Sequence, residues 1–391
     1  MTADTRTTAP LAHLKSAVEC TPQGRSLVEV LRRAASERPD ALYLNLLDAA
    51  NKPHELTFGQ VLAGAERWAG WLASKGLPRG SRVALLLPTG DDFLFAFFGT
   101  QIAGLTPVPM AFPLALGNHE PYVASLSRIV CRAEPSLFIT VPHLEAPARA
   151  LLASAGSSGE VVVPAQVVDA GAAAATQFPE IGEADAALIQ FASGRVREPT
   201  GAVLTHRQVL SNVFGLGTAL KLTADDVALT WVPLVHDMGL IGGLFTSLYW
   251  RCPLVVMPPQ TFLMHPYLWL KNITQFRVTL AAAPNAGYQL CVKRVQDRHL
   301  KDMDLSRWRL ALNGAETVHP STVEAFCQKF APVGFDRKAM CPTYGLAENT
   351  LATACPDPAE PYRTETLDGG WLRTGDLGFI AGGRLCITDR K

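Results

Sequence analysis

Five short polar segments, each next to an apolar run, hold most of the side chains in this sequence equipped for chemistry rather than packing. Ser193, Gly194, Arg195, Arg197 and Thr200 share one turn whose guanidinium groups and hydroxyls suit an anion, since arginine neutralises phosphate and gives it several hydrogen bonds. His236 and Asp237 precede an apolar stretch and have no third ligand within sequence reach, so they do not read as a metal pair. Asn313, Gly314, Ala315 and Glu316 follow a buried run and offer backbone groups plus an amide for hydrogen bonds to a base edge. In Thr343, Tyr344, Gly345, Leu346 and Ala347 an aromatic face is available to cover a purine, and Glu348 beside them is a carboxylate able to hold the hard cation that accompanies phosphates. Asp376 is suited to accept hydrogen bonds from ribose hydroxyls, and Arg390 stands just before the last residue.

Each segment also has an ordinary reading when taken alone. Two arginines in a solvated turn, a hydrogen-bonded core histidine, a carboxylate at a helix start and an Asp beside a Gly are all common. What separates the readings is whether the elements around these residues bring them to one place.

Those elements alternate between helix and strand, the pattern of an α/β architecture. Residues 26–37 have helical spacing. Thr57 with Gln60, and Thr205 with Gln208, form capping boxes at two further helix starts, and Gly76 marks a stop. Residues 82–88, 136–141, 227–234, 252–259, 278–285 and 308–316 read as buried strands, each ending near Gly, Pro or Asn and followed by a helical stretch. Doubly wound sheets bind ligands at the carboxyl ends of their strands, so the loops at 193–200, 236–239, 284–287, 313–316 and 343–348 are expected to crowd around one site. The alanine- and glycine-rich stretch 144–180 reads as an exposed helix and connector without chemistry.

Bulk properties exclude several classes. With 391 residues, 48% of them hydrophobic, there is material for two to three packed units and no mark of global disorder. Lysine plus arginine equals aspartate plus glutamate at 35 each, which argues against a nucleic-acid binder. The eight cysteines show no Cys-x-x-Cys pair or zinc spacing and read as reduced thiols. The first residues lack a secretory pattern, and the most apolar helix candidate, 91–104, is too short to span a bilayer. Cytoplasm is the expected location.

Read in order, the phosphate-loop-like turn at 193–206, "YGLAE" (344–348), "TGD" (374–376) and "DRK" (389–391) resemble the adenylate-forming (AMP-binding) enzyme superfamily, which includes acyl-CoA synthetases, peptide-synthetase adenylation domains and luciferases. The segments "WVPLVHDMGLIGG" (231–243), "AAAPNAGYQLC" (281–291) and "LALNGAETV" (310–318), with alanine at 347, are most similar to fatty acyl-AMP ligases. Several ordered matches in an α/β frame carry weight that one short motif does not.

The resemblance implies an N-terminal portion made of two packed doubly wound αβ subdomains, 25–180 and 181–355, after a tail at 1–24. Residues 356–391 would be the remnant of a mostly missing β-barrel subdomain and the start of a hinge, with the lysine-bearing C-terminal domain absent. It implies ATP-dependent activation of a medium- to long-chain fatty acid to acyl-adenylate with release of pyrophosphate, for an acyl carrier protein. Fatty acyl-CoA ligation and nucleotide or acyl binding without turnover are the alternatives. Ser193, Gly194, Arg195, Arg197, Thr200, Asn313, Gly314, Ala315, Glu316, Thr343, Tyr344, Gly345, Leu346, Ala347, Asp376 and Arg390 would then hold ATP, and Glu348 would anchor Mg²⁺. His236 would orient or screen the substrate carboxylate, with Asp237, Met238, Gly239, Pro284, Asn285, Ala286 and Gly287 around the fatty acid. The small residues at 286 and 287 would leave room for the acyl chain. The turn departs from the family loop: it lacks the Ser-Thr-Gly core and the lysine, and arginine replaces glycine at 197, which restricts the backbone.

Overall fold

A computed structural model describes residues 20–113, 120–169, 177–191, 199–355, 376–381 and 384–390. In the last two segments, and at 120, 169 and 348, it describes the backbone alone. The tail, the turn at 192–198 and the stretch 356–375 lie outside the described residues.

Strands β1 (Leu42–Leu47), β2 (Pro53–Thr57), β3 (Arg82–Leu86), β4 (Thr106–Pro109), β5 (Leu137–Thr140), β6 (Glu160–Val162), β7 (Ala186–Phe191), β8 (Gly201–Thr205), β9 (Ala228–Thr230), β10 (Leu254–Val256), β11 (Leu280–Ala283), β12 (Leu310–Asn313) and β13 (Met340–Pro342) alternate with helices. Two sheets result. One is four-stranded and wholly parallel, in the order β4-β3-β5-β6. The other is seven-stranded, in the order β13-β12-β11-β9-β10-β1-β2, parallel except for the antiparallel edge strand β2. β7 and β8 form a separate antiparallel ribbon.

The central strands are apolar on both faces because both faces are covered, as parallel sheets require. The core between the sheets takes Leu310 and Leu312 of β12 together with Phe97, Phe98 and Phe245. A second core, outside the larger sheet, takes Ala311 with Trp231, Trp269, Tyr288 and Phe326. A third lies outside the smaller sheet around Phe138 and Val130.

Sheet membership does not follow the expected division at residue 180. β1 and β2 leave the first segment and extend the sheet built by 228–342. The reason is local: β1 is buried along nearly its whole length and pairs in parallel with β10, while the largely exposed β2 closes the edge. The stretch 144–180 holds more structure than expected, with a helix at Glu145–Ser154, strand β6 and a helix at Pro164–Asp169.

Both capping boxes form. Thr57 and Thr205 each accept a hydrogen bond from the backbone N–H three residues on, and the side chains of Gln60 and Gln208 each accept one from the cap N–H. The second box starts the helix His206–Ala219 straight after β8, fixing the exit of the ribbon.

Candidate active site

Five parallel strands end at the same edge of the larger sheet: β9 at Thr230, β10 at Val256, β11 at Ala283, β12 at Asn313 and β13 at Pro342. Backbone and side-chain bonds then knit the following loops together. Thr343 N–H donates to Asn313 O at 2.8 Å, and Gly314 N–H donates to Ala283 O at 3.3 Å. The Glu316 carboxylate accepts from the N–H of Ala286, in the first turn of the helix Asn285–Arg294, where a negative group is favoured by the helix dipole. Asn285 Oδ1 accepts from His319 N–H at 3.2 Å. The expected segments 284–287, 313–316 and 343–347 therefore converge.

Backbone shape in this cluster leaves little choice of residue. A Cβ at Gly314 would lie 2.5 Å from Thr343 Oγ1 and 2.7 Å from Thr343 O. Ala315 holds a left-handed φ of 65°, which costs a non-glycine residue about 1–2 kcal/mol.

After Pro342 the chain forms a short hairpin, β14 (Tyr344–Gly345) with β15 (Ala352–Ala354), closed by Leu346 N–H to Leu351 O at 2.9 Å. Glu348 sits in the turn of that hairpin. Asn212, on the helix that follows β8, holds the hairpin: its Nδ2 donates to Ala352 O at 2.9 Å and to Asn349 O at 3.2 Å, and its Oδ1 accepts from Ala352 N–H at 3.1 Å. Between that helix and the hairpin lies a cavity of about 240 Å³ lined by Thr200, Gln190, Ala202, Gln208 and Ala347, among others. Thr200 and the Glu348 turn thus flank one space. Ser193, Gly194, Arg195 and Arg197 lie outside the described residues, as do the side chains of Glu348, Asp376 and Arg390. The backbone places Asp376 opposite Arg390 in the hairpin β16 (Asp376–Ala381) with β17 (Arg384–Arg390).

The His236 segment joins from the other side. Gln190 Nε2 donates to Val235 O at 3.0 Å, linking the end of β7 to the residue before His236. His236 Nδ1 lies 2.6 Å from Asp237 Oδ1, which also accepts from Met238 N–H at 2.7 Å. Nδ1 also lies 3.2 Å from the Met238 N–H, so Asp237 and this N–H together fix the ring and leave Nε2 free of both. Gly239 is required because a Cβ there would meet Pro233 O at 2.4 Å. Met238–Phe245 then runs as a π-helix, a form frequent at functional sites, and Thr246 Oγ1 bonds Ile241 O at 2.8 Å across its wide turn.

The acyl-side expectation is changed at one position. The room left by Gly287 is taken by the indole of Trp231: a Cβ at 287 would lie 2.7 Å from Trp231 Cζ2. Gln190, Asn212 and Trp231 were not among the residues singled out from the sequence. Gln190 carried a usable signal, a polar residue within an apolar strand. Asn212 carried none, because its partners lie 137 or more positions away. A separate open cleft of about 500 Å³, lined by His265, Tyr267, Lys293, Arg294, Arg298 and His299 among others, gathers none of the expected residues.

Among the described residues no group of three or more His, Cys, Asp or Glu is placed to hold a metal ion, and no helix is long and apolar enough to cross a membrane.

The chain is similar to known proteins in sequence and in fold. The chain is 38% identical to a putative acyl-CoA synthetase of Caulobacter vibrioides over 76% of its own length and 51% of the relative's. It is 32% identical to the medium-chain-fatty-acid–[acyl-carrier-protein] ligase JamA of Moorena producens, over 88% of this chain and 59% of that protein. It thus spans between half and three fifths of the length of these relatives. The crystal structure of a fatty acyl-adenylate ligase from L. pneumophila, in complex with acyl adenylate and pyrophosphate, superimposes with a TM-score of 0.81 at 29% identity, covering 94% of this chain and 64% of that one. The family model for AMP-binding enzymes matches residues 31–377, and the chain belongs to that family.

Proposed function

We propose that this chain carries the site for ATP-dependent activation of a fatty acid, in which the carboxylate attacks the α-phosphate, acyl-adenylate forms and pyrophosphate leaves. The observation that carries the reading is the convergence of 284–287, 313–316 and 343–347 at one sheet edge, tied through Asn212 to the helix behind Thr200. The chemical obstacle is the approach of two anions. Their repulsion at about 4 Å is roughly 1 kcal/mol in water and about 4 kcal/mol near a protein surface. Fixed donors and cations must offset it.

In this reading Thr200 with Ser193, Gly194, Arg195 and Arg197 holds the triphosphate. Gly314, Ala315, Glu316 and Thr343 to Ala347, with the backbone of Asn313, hold the adenosine, and Asp376 and Arg390 hold the ribose. The cavity beside Thr200 fits a phosphate-bearing tail by the hydroxyl and amide groups that line it. Magnesium is compatible with a single carboxylate, since it commonly binds through one or two carboxylates plus substrate phosphates, and Glu348 would be that carboxylate. A bound magnesium ion would neutralise phosphate charge as the bond to the carboxylate forms. His236 orients the fatty acid carboxylate, with Asp237 fixing the imidazole.

The acceptor in this reading is an acyl carrier protein, supported by the name of the Moorena relative, and the acid is medium- to long-chain. The higher identity to a putative acyl-CoA synthetase favours coenzyme A as the second reading. The missing Ser-Thr-Gly core and lysine favour a third, binding without turnover. Incubation with ATP, Mg²⁺ and dodecanoate, followed by mass spectrometry, tests the activation step. Acyl-AMP and pyrophosphate in equal amounts are expected. Binding of a non-hydrolysable acyl-adenylate mimic with no acyl-AMP would select the third reading, and absence of both would overturn the proposal. Carrier protein and coenzyme A, offered in competition, then separate the first two.

A further inference from the structure

The final residues of three neighbouring strands turn to the same side of the larger sheet. Side chains alternate between faces along a strand. Leu310 and Leu312 enter the core between the sheets and Ala311 the outer one, so Asn313 faces outward, as Ala283 and Trp231 do. Asn313 is in register with Ala283, and β11 lies between β12 and β9, whose end leads into Trp231. Two strand spacings of about 4.8 Å put the three residues within roughly 10 Å of one another across the sheet.

The polar atoms here have nothing to bind. Asn313 is 0% exposed, and neither its Oδ1 nor its Nδ2 has a partner among the described residues. Trp231 is 8% exposed, and its indole N–H has none either. Buried polar groups in folded proteins are nearly always paired, and each exception calls for a cause. Asn313 and Trp231 stand at the ends of β12 and β9 with only Ala283 between them and call for a common cause; the Trp269 indole N–H, whose ring meets Trp231 edge-on, is unpaired among the described residues as well.

Both residues sit where their strands open into the loops of the carboxyl edge. Phe262 stacks on the Trp231 ring with centroids 3.8 Å apart and an interplanar angle of 11°, which fixes the plane of the indole. Gly287, on the helix above, admits the edge of that ring, and a Cβ there would also approach Ala283 Cβ at 3.4 Å. Asn285, on the same helix, is already satisfied by His319 N–H and Thr322 Oγ1, so it does not compete for a guest.

We infer that Trp231 and Asn313 are specificity-determining residues that select acids bearing an oxygen atom on the acyl chain, hydroxy or keto, over plain alkanoates. The oxygen accepts from the Trp231 N–H or from Asn313 Nδ2, and a hydroxyl also donates to Asn313 Oδ1. A plain alkyl group would leave all three atoms unpaired. Sites built to bond a substrate hydroxyl reject its deoxy analogue for this reason. The inference deepens the proposed activation reaction and rests on it. It also moves the Asn313 side chain from the adenine to the acyl group.

The test compares dodecanoate with a set of hydroxy- and ketododecanoates of the same length, reading acyl-AMP formation by mass spectrometry. A parallel arm reads thermal shift with the matching non-hydrolysable acyl-adenylate mimics. At least one oxygenated acid is expected to exceed dodecanoate by about tenfold in kcat/KM or, for the mimics, in affinity, the scale of one buried hydrogen bond. Asn313→Leu, which keeps the branched shape and is apolar, is expected to bring that ratio close to one. Trp231→Phe, which keeps the stack and removes the N–H, is expected to reduce it and carries the test if Asn313→Leu does not fold. Dodecanoate preferred or equal in the wild type would overturn the inference while leaving the activation reaction standing. It would mean that buried water satisfies these atoms. Failure of every acid and every mimic would instead overturn the activation reaction itself.

Discussion

At the scale of single residues, His236 shows how little of a side chain's role lies in its identity. Its Nδ1 sits 2.6 Å from Asp237 Oδ1, and that same oxygen takes the Met238 N–H, so the carboxylate both orients the ring and caps the start of the π-helix. Replacing the histidine removes the group proposed to face the substrate and leaves the cap. His236→Ala is therefore expected to lower acyl-AMP formation by about a hundredfold, the lower end for a positioned acid–base or electrostatic group. Thermal unfolding should change little. Steady-state acyl-AMP formation with an unfolding scan checks this, and equal activity of variant and wild type would remove His236 from the site. Other residues gain their meaning only from contacts. Gly314 is fixed by Thr343, and Gly287 by the indole of Trp231. The sequence pattern marked both glycines as site residues. It had no means of saying that the second makes room for a tryptophan rather than for an acyl chain, because that contact joins residues far apart in the chain.

At the scale of elements, local signals were readable and long-range ones were not. Capping boxes at Thr57 and Thr205 are short-range chemistry, and both formed at the expected positions. The strand ends at Ala283 and Asn313 were legible because apolar runs stop there at proline, asparagine and glycine. The π-helix was not, since Met238–Phe245 has no period that separates it from an α-helix. Nor was the place of β1 in the larger sheet, which depends on pairing with β10 two hundred residues away. The helix His206–Ala219 carries a further consequence. His206 is buried, and its Nδ1 accepts from Leu27 N–H at 3.1 Å, joining the first helix to the one behind the candidate phosphate loop. Burial pushes the imidazole down to about 4, with Asp185 pulling it the other way. The folded state therefore binds fewer protons than the unfolded one between the ordinary histidine range near 6.5 and about 4. Stability from this group is complete above that range and is lost as pH falls through it, by up to about 3 kcal/mol. Denaturant unfolding at pH 7 and pH 4.5 should show a larger loss in the wild type than in His206→Gln. Equal losses in the two proteins would contradict the assignment.

At the scale of the whole molecule, the site is assembled from the edges of several layers. The larger sheet contributes four loops, after β9, β11, β12 and β13, the β7–β8 ribbon brings Thr200, and the helix after it grips the Glu348 hairpin through Asn212. Separate ties hold these parts in place. Gln190 links the ribbon to the His236 segment, and Gln101 Nε2 donates to Ala187 O at 2.7 Å, fixing the ribbon to a helix of the central layer. Arg309 pairs with Asp226 through two bonds of 2.8 and 2.9 Å and reaches Leu220 O, pinning the opposite edge of the sheet. An α/β chain with loops at strand ends was apparent from the pattern of residues, but the ties that draw the described loops together were not. Hydrogen exchange with and without a non-hydrolysable acyl-adenylate mimic tests that convergence most directly. Slowed exchange is predicted together in 232–240, 284–288, 313–317 and 343–350, with no change around the cleft at 293–299. Protection confined to one of these loops, or appearing at 293–299 instead, would contradict a single shared site.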